Sequence, residues 1–178
     1  IPGRLIFDVK MLSLVRKARY VAGGHRTDPP KESVYSSVVS RDSVRLGFLL
    51  AAINDVDILA ADIQNAYLEA PTKERVYIVA GPEFGSDEKR PAKIVRALYG
   101  LKSSGARFRD SLVSVLRDVF FKSCLADPDV HMRPAVKPNG EKYWEYVLCY
   151  VDDVLVISHQ TKIVMAGIAK QFTLKLYN

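Results

Sequence analysis

Residues 150–158 read YVDDVLVIS and place two adjacent acids, Asp152 and Asp153, inside an apolar run. The residues before them, 146–150, are as hydrophobic as residues 154–157 after them, which predicts two strands joined by a tight Asp-Asp tip. Such tips favour Asn-Gly or Asp-Gly, because positive φ is needed. No Lys or Arg between 143 and 161 offsets the two charges. The pair is therefore either a plain turn or a site prepared for a cation.

A third acid, Asp62, follows the apolar strand predicted at 58–61. Asp62 could simply cap the helical stretch after it. If the two strands pair, however, Asp62 would meet Asp152 and Asp153. Hard carboxylate oxygens suit Mg²⁺, with Mn²⁺ as a substitute. Two such ions, about 4 Å apart, would activate a hydroxyl nucleophile and stabilise a leaving pyrophosphate.

The 178 residues carry a formal net charge of +6, with the excess in two segments. Residues 1–34 hold seven Lys/Arg against three acids, and residues 89–122 hold nine against two. Such segments indicate either a solvated surface or a phosphate-rich partner. No apolar run reaches the roughly 20 residues that span a bilayer, so no membrane partner is expected. The two cysteines lack disulfide or zinc spacing, which favours a reducing, intracellular compartment. The sequence does not decide between a cytoplasmic particle and the nucleus.

Helical and strand patterns mix without strict alternation, which predicts an α+β fold with an antiparallel sheet. The predicted elements are an exposed strand at 16–24, a helix at 40–55 capped by Ser40, strands at 58–61 and 75–82, a helix from Ser104 to Phe121, a turn at Asn139-Gly140, a strand at 143–150 and a helix at 163–172. His25, His131 and His159 lack partners at ligand spacing and are expected at the surface.

Six blocks of the sequence, in this order, resemble the copia-type retrotransposon reverse transcriptases. They are KARYVAGG (17–24), SSVVSRDSVRLGFLLAA (36–52), LAADIQNAYLEAPTKERVY (59–77), VRALYGLKSSGARF (95–108), LADPDV (125–130) and YVDD (150–153). The resemblance covers roughly residues 8 to 175. It implies one reverse transcriptase unit over 1–178, built as the fingers and palm of a right-hand polymerase without a thumb. Fingers are expected at about 1–37 and 70–103, and palm, with its sheet packed on helices, at about 38–69 and 104–178.

The resemblance also implies a metal site. Asp62 matches the aspartate of the family's motif A, and Asp152 with Asp153 matches motif C. Ile63 would offer its backbone carbonyl to the second ion. Tyr67 matches the aromatic steric gate, whose ring would exclude the 2′-hydroxyl of a ribonucleotide, although a buried core aromatic is the plainer interpretation.

Further matches concern the incoming nucleotide. Gly100 and Lys102 fall in motif B, where a glycine allows close backbone approach. The chain has Gly105 where many relatives have proline, which loosens that turn. Two cations, Lys17 and Arg19, fall on the strand that grips the triphosphate, and the sequence does not decide between them. Lys175 lies near the motif D lysine, a candidate proton donor to pyrophosphate.

The function implied is that of an RNA-directed DNA polymerase serving transposition and DNA integration of such an element. Its partners would be an RNA or DNA template with primer, a dNTP, and the ribonuclease H and integrase parts of a polyprotein. Two alternatives stay open. The chain could be a non-catalytic nucleic-acid-binding relic, because a fragment without a thumb grips primer–template poorly. A metal-dependent nuclease would need a fourth acid that the sequence does not place.

Overall fold

The computed structural model describes residues 1–11, 14–30 and 34–177. In chain order the elements are β1 (Gly3–Lys10), β2 (Val15–Ala22), α1 (Arg41–Ile53), β3 (Asp57–Ile63), α2 (Ala66–Glu69), β4 (Tyr77–Val79), β5 (Pro91–Lys93), α3 (Ser104–Asp118), β6 (Lys122–Ser123), β7 (Val130–Val136), β8 (Lys142–Tyr150), β9 (Asp153–Ser158), α4 (Thr161–Ala169) and β10 (Leu174–Leu176). Short 3₁₀ helices span Gly24–Arg26 and Pro82–Asp87. In these ranges no helix is both long and apolar enough to cross a membrane.

The chain divides into two compact units. The first comprises Ile1–Tyr35 and Tyr67–Phe108, and the second comprises Ser36–Ala66 and Arg109–Asn178. The predicted boundaries at 37, 69 and 103 lie two, three and five residues from these bounds. The assignment of the units as fingers and palm stays a prediction.

The first unit contains two antiparallel strand pairs. In one, β1 and β2 pair from Gly3↔Ala22 to Lys10↔Val15; in the other, β4 pairs with β5. Ala22 of β2 and Ile78 of β4 belong to one apolar cluster, together with the nearby residues Val76, Ile94 and Leu101. The predicted exposed strand at 16–24 is thus confirmed as β2, and its end is buried.

The second unit is built on a six-stranded sheet in the order β10-β3-β9-β8-β7-β6, with every pairing antiparallel. The central strand β9 is apolar from Val154 to Ile157, where both of its faces are covered. Val154 and Val156 are buried on one face, and Ile157 is fully buried on the other. The antiparallel α+β architecture predicted from the sequence is confirmed.

Helix α1 packs on the Ile157 face, with Gly47 against Ile157 and Leu148. As predicted, Ser40 caps the helix, because its side-chain oxygen accepts from the Ser43 N–H. The carboxylate of Asp127, in the LADPDV block, adds to this cap by accepting from the Ser40 N–H (3.0 Å) and the Ser43 hydroxyl (2.6 Å). That block therefore has a structural use that the sequence did not reveal.

At one side of the sheet, β7 is only partly covered. The short strand β6 pairs with His131 and Met132 alone. Within the described residues, Pro134 and Val136 have a neighbouring strand, β8, on one side only. A proline is tolerated there because its missing N–H faces away from the ladder.

A buried polar network ties β7, β8 and β9 together. Glu145 is 4% exposed and accepts from the Arg133 Nε (2.6 Å), the Ser158 hydroxyl (2.5 Å) and the Tyr143 hydroxyl (3.1 Å). The Arg133 guanidinium also donates to the Val119 carbonyl (2.6 Å) and lies over the ring of Phe121. Every oxygen of the Glu145 carboxylate is thus paired, which is the condition for burying a charge.

Arg133→Met should lower the free energy of unfolding by roughly 3 kcal/mol, because it leaves the buried Glu145 charge uncompensated. The matched control is Arg45→Met, which removes an exposed contact to Asp42 at 3.5 Å and should cost under about 0.5 kcal/mol. Urea unfolding monitored by circular dichroism measures both. Equal losses in the two variants would contradict the role assigned to the network.

A second buried polar contact joins His131 on β7 to Cys149 on β8, next to the YVDD hairpin. His131 is 1% exposed on β7, so the expectation that it lies at the surface is wrong, whereas His25 and His159 are exposed. Its Nδ1 is 3.8 Å from the Cys149 sulfur. Burial raises the pKa of the Cys149 thiol to about 12 and lowers the pKa of His131. Both side chains are therefore neutral near pH 7.

Thiol labelling should separate the two cysteines. At pH 8 a disulfide reagent such as DTNB should modify the partly exposed Cys124 and leave Cys149 unmodified, because the Cys149 thiolate is both buried and rare. One equivalent of thiol should react in the native chain and two in guanidinium chloride. Cys124→Ser supplies the control, and fast labelling of that variant in the native state would contradict the burial.

Candidate functional site

Pairing of β3 with β9 brings the backbone positions of the three predicted acids to one end of the sheet. Asp62 lies directly opposite Asp153 in the register. One residue further along, the Ile63 N–H donates to the Asp152 carbonyl at 2.7 Å. The Ile63 side chain is fully buried, so only its backbone faces this end of the sheet. Residues ninety apart in sequence thus share one end of the sheet.

The tip of the β8–β9 hairpin differs from the prediction by one residue. Tyr150 pairs with Asp153, so the two-residue tip is Val151-Asp152 and not Asp152-Asp153. The tip obtains its positive φ at Val151 (φ 53°), a β-branched residue that rarely adopts this conformation. Holding a residue in this backbone conformation costs about 1–3 kcal/mol of folding free energy. The two flanking strands hold Val151 there. Asp153 is therefore a strand residue, and Asp152 alone of the pair lies in the turn.

Two residues of the edge strand β10 region join this site. Lys175 lies directly opposite Asp62 on β3. The Tyr177 hydroxyl donates to Oδ1 of Asp153 at 2.6 Å. That hydrogen bond, with burial and the charges of Asp153, Asp62 and Asp152, raises the pKa of the Tyr177 phenol to about 12. All three carboxylates therefore act on one hydroxyl, and sequence reasoning missed this tyrosine.

In the part of the chain that the structure describes, no three His, Cys, Asp or Glu side chains already stand close enough to hold a metal ion. The backbone positions converge, and the carboxylates would have to turn toward a shared ion. All three carboxylates are only partly buried, so solvent ions can reach them.

Two of the predicted nucleotide-binding residues meet at one aromatic ring in the first unit. The ring of Tyr67 lies 4.9 Å from that of Tyr99 and 6.3 Å from that of Phe108. The Arg19 guanidinium lies 5.9 Å from the centre of the Tyr99 ring. Arg19 and Tyr67 are thus brought together, with Tyr99 between them. The alternating pattern of β2 alone could not have identified this third residue.

The other predicted residues of this unit have their own neighbours. Lys17 lies opposite Asp8 on β1. The Lys102 ammonium donates to the Thr27 carbonyl at 2.7 Å. Gly100 has φ 91°, and a side chain there would collide with the Ala22 carbonyl. Glycine is therefore required at 100 by the packing of the chain on itself, while its approach to a nucleotide stays a prediction.

The first unit also contains an open basic cavity of about 800 Å³. Four of its lining residues are cations, namely Arg26, Lys73, Arg75 and Arg107. Two carboxylates, Asp28 and Glu74, lie beside them. The net positive lining suits phosphate groups, which the charge distribution in the sequence had indicated only in general terms.

Comparison with known proteins identifies the family. A profile described as "Reverse transcriptase (RNA-dependent DNA polymerase)" matches residues 1–177. Three Gag-Pol polyproteins of the Saccharomyces cerevisiae transposons Ty1-DR5, Ty1-LR2 and Ty1-ML2 are each 30% identical to this chain over 168 residues. The match covers 91% of this chain and only 9% of each polyprotein.

The predicted copia-type relationship is confirmed by the Ty1 relatives. The chain belongs to the reverse transcriptase family and is of the copia type.

Proposed function

We propose that this domain catalyses RNA-directed DNA synthesis, the template-guided attack of a primer 3′-hydroxyl on a dNTP. The observation that carries the proposal is the register that sets Asp62 opposite Asp153, with Asp152 at the adjoining tip. In this proposal the second unit is the palm and the first unit is the fingers. Template, primer and dNTP are the proposed partners, and the remainder of a polyprotein would supply ribonuclease H and integrase.

The acids at this end of the sheet fit Mg²⁺. Their oxygens are hard ligands, and Mg²⁺ commonly takes one or two protein carboxylates and completes its shell with water and substrate phosphate. A complete protein cage is therefore not needed. Asp62, Asp152 and Asp153 would hold two ions, with the Ile63 carbonyl beside them. Bound there, Mg²⁺ would activate the primer hydroxyl and neutralise charge on the leaving pyrophosphate.

Other residues of the chain would position the substrates. Lys175, opposite Asp62, would donate a proton to the leaving pyrophosphate. Arg19 is favoured over Lys17 for the triphosphate, because Arg19 lies by Tyr99 and Tyr67 whereas Lys17 lies opposite Asp8. Gly100 and Lys102 would border the nucleotide. The basic cavity would take template phosphates, with an affinity that falls as salt rises.

Asp152→Asn should lower primer extension on poly(rA)/oligo(dT) by at least about 10²-fold in Mg²⁺, because groups that merely support metal ligands are already worth 10–100-fold. The assay uses the chain in its longest natural reading frame. Asp42→Asn, whose side chain is 87% exposed on α1, is the matched control and should retain full activity.

Undiminished synthesis by Asp152→Asn would contradict the proposed metal role. If the unaltered chain binds primer–template but never extends it, the relic interpretation is favoured. Nicking of supercoiled plasmid, abolished by Asp152→Asn, would instead favour a nuclease.

Tyr67→Ala should reduce discrimination against ribonucleotides by about 10–100-fold, because the space closed by the ring is opened to the 2′-hydroxyl. Tyr67→Phe keeps the ring and its packing on Tyr99 and should leave discrimination unchanged. Single-nucleotide incorporation of dTTP and UTP measures the ratio. A loss of dTTP incorporation with an unaltered ratio would show that Tyr67 acts only in packing.

A further inference from the structure

Tyr177 extends the pairing of β10 with β3 by one residue. Lys175 pairs with Asp62 and Leu176 pairs with Ala61. The Tyr177 N–H then donates to the Ala60 carbonyl at 3.0 Å. Tyr177 therefore stands on the same face of the sheet as Asp62, because alternate residues of a strand point to one side.

The Tyr177 side chain reaches across β3 to the next strand. Its hydroxyl donates to Asp153 on β9 at 2.6 Å, a length typical of a hydroxyl donating to a charged carboxylate. The hydroxyl thus approaches Asp153 from the side of β3, where Asp62 also lies.

The hydrogen of the Tyr177 hydroxyl interacts with the same carboxylates that would attract a cation. Asp62 and Asp152 act electrostatically on the phenol together with Asp153. A hydroxyl hydrogen carries only a partial positive charge, whereas a divalent ion carries a full charge of two. The hydroxyl hydrogen and a divalent ion cannot both occupy the position beside Oδ1 of Asp153, because the hydrogen would repel the ion.

We propose that Tyr177 is a built-in competitor of the metal ion: its hydroxyl holds Asp153 while the site is empty and leaves when a divalent cation binds. This inference rests on the proposed metal site of the polymerase. The competition makes the affinity of the site lower than its carboxylates alone would give. It also keeps Asp153 in a defined orientation in the absence of substrate, since the hydrogen bond limits rotation of the carboxylate.

A different role would produce the opposite effect on affinity. A residue that keeps its hydrogen bond to a ligating carboxylate orients that ligand, and its loss weakens metal binding by 10–100-fold. A competitor strengthens binding when it is removed. Because the tyrosine is about half exposed, water would replace part of the lost hydrogen bond, so the expected gain is about 3- to 30-fold.

The test measures Mn²⁺ binding to the 178-residue chain by electron paramagnetic resonance of the free ion. Tyr177→Phe removes the hydroxyl and keeps the ring. Tyr77→Phe is the matched control, because Tyr77 is also 52% exposed and lies on β4 in the other unit. Asp152→Asn reports which part of the binding belongs to the site.

Tighter Asp152-dependent binding in Tyr177→Phe, with Tyr77→Phe unchanged, is the expected result. If Tyr177→Phe binds Mn²⁺ as tightly as the unaltered chain or more weakly, while Asp152→Asn still abolishes binding, the competition proposed for Tyr177 is wrong. The polymerase proposal is unaffected by that result. Binding that is absent, or insensitive to Asp152→Asn, would overturn the metal site and the competitor together.

A second measurement follows the tyrosine itself. Mg²⁺ is spectroscopically silent, so a tyrosine absorbance difference on its addition reports a change in the surroundings of a phenol. That difference should persist in Tyr77→Phe and vanish in Tyr177→Phe. A difference spectrum that survives in Tyr177→Phe would contradict release of this hydroxyl.

Discussion

The register between β3 and β9 is the constraint from which the site is built. A shift of one residue would turn Asp62 to the opposite face of the sheet and expose its neighbours. Those neighbours, Ala61 and Ile63, are fully buried, so the apolar interior sets the position of the acid between them. The charges at this end of the sheet are thus placed by the burial of uncharged side chains.

Much of the fold follows from local patterns in the sequence. Ser40 with the 3.6-residue period of α1, the apolar run of β9 and the Asn139-Gly140 turn each specify one element through their own residues. The sequence also placed Asp62 at a strand end. The sequence did not predict that β3 pairs with β9; it predicted only that Asp62 would meet Asp152 and Asp153 if the two strands pair. The alternation of apolar and polar residues identifies a strand and its faces but not the strand it pairs with.

Three features could not be predicted because they arise from tertiary contacts. Val151 adopts a positive φ against its own preference, since the flanking strands hold the tip. His131 lies in a strand whose sequence, beside a proline-rich stretch, reads as loop, and its neighbour Cys149 is 18 residues away. The contact of Tyr177 with Asp153 spans 24 residues and exists only because β10 lies beside β3.

Pro134 has a consequence for how this domain behaves at high concentration. Among the described residues, no strand pairs with the outer side of β7 beyond Met132, and an unpaired strand edge is a template on which a second molecule can add its own strand. Continued addition would lead to ordered aggregates. The backbone nitrogen of Pro134 carries no hydrogen, so it interrupts the row of N–H donors that strand addition requires. Pro134 therefore makes this margin of the sheet a poorer template for strand addition.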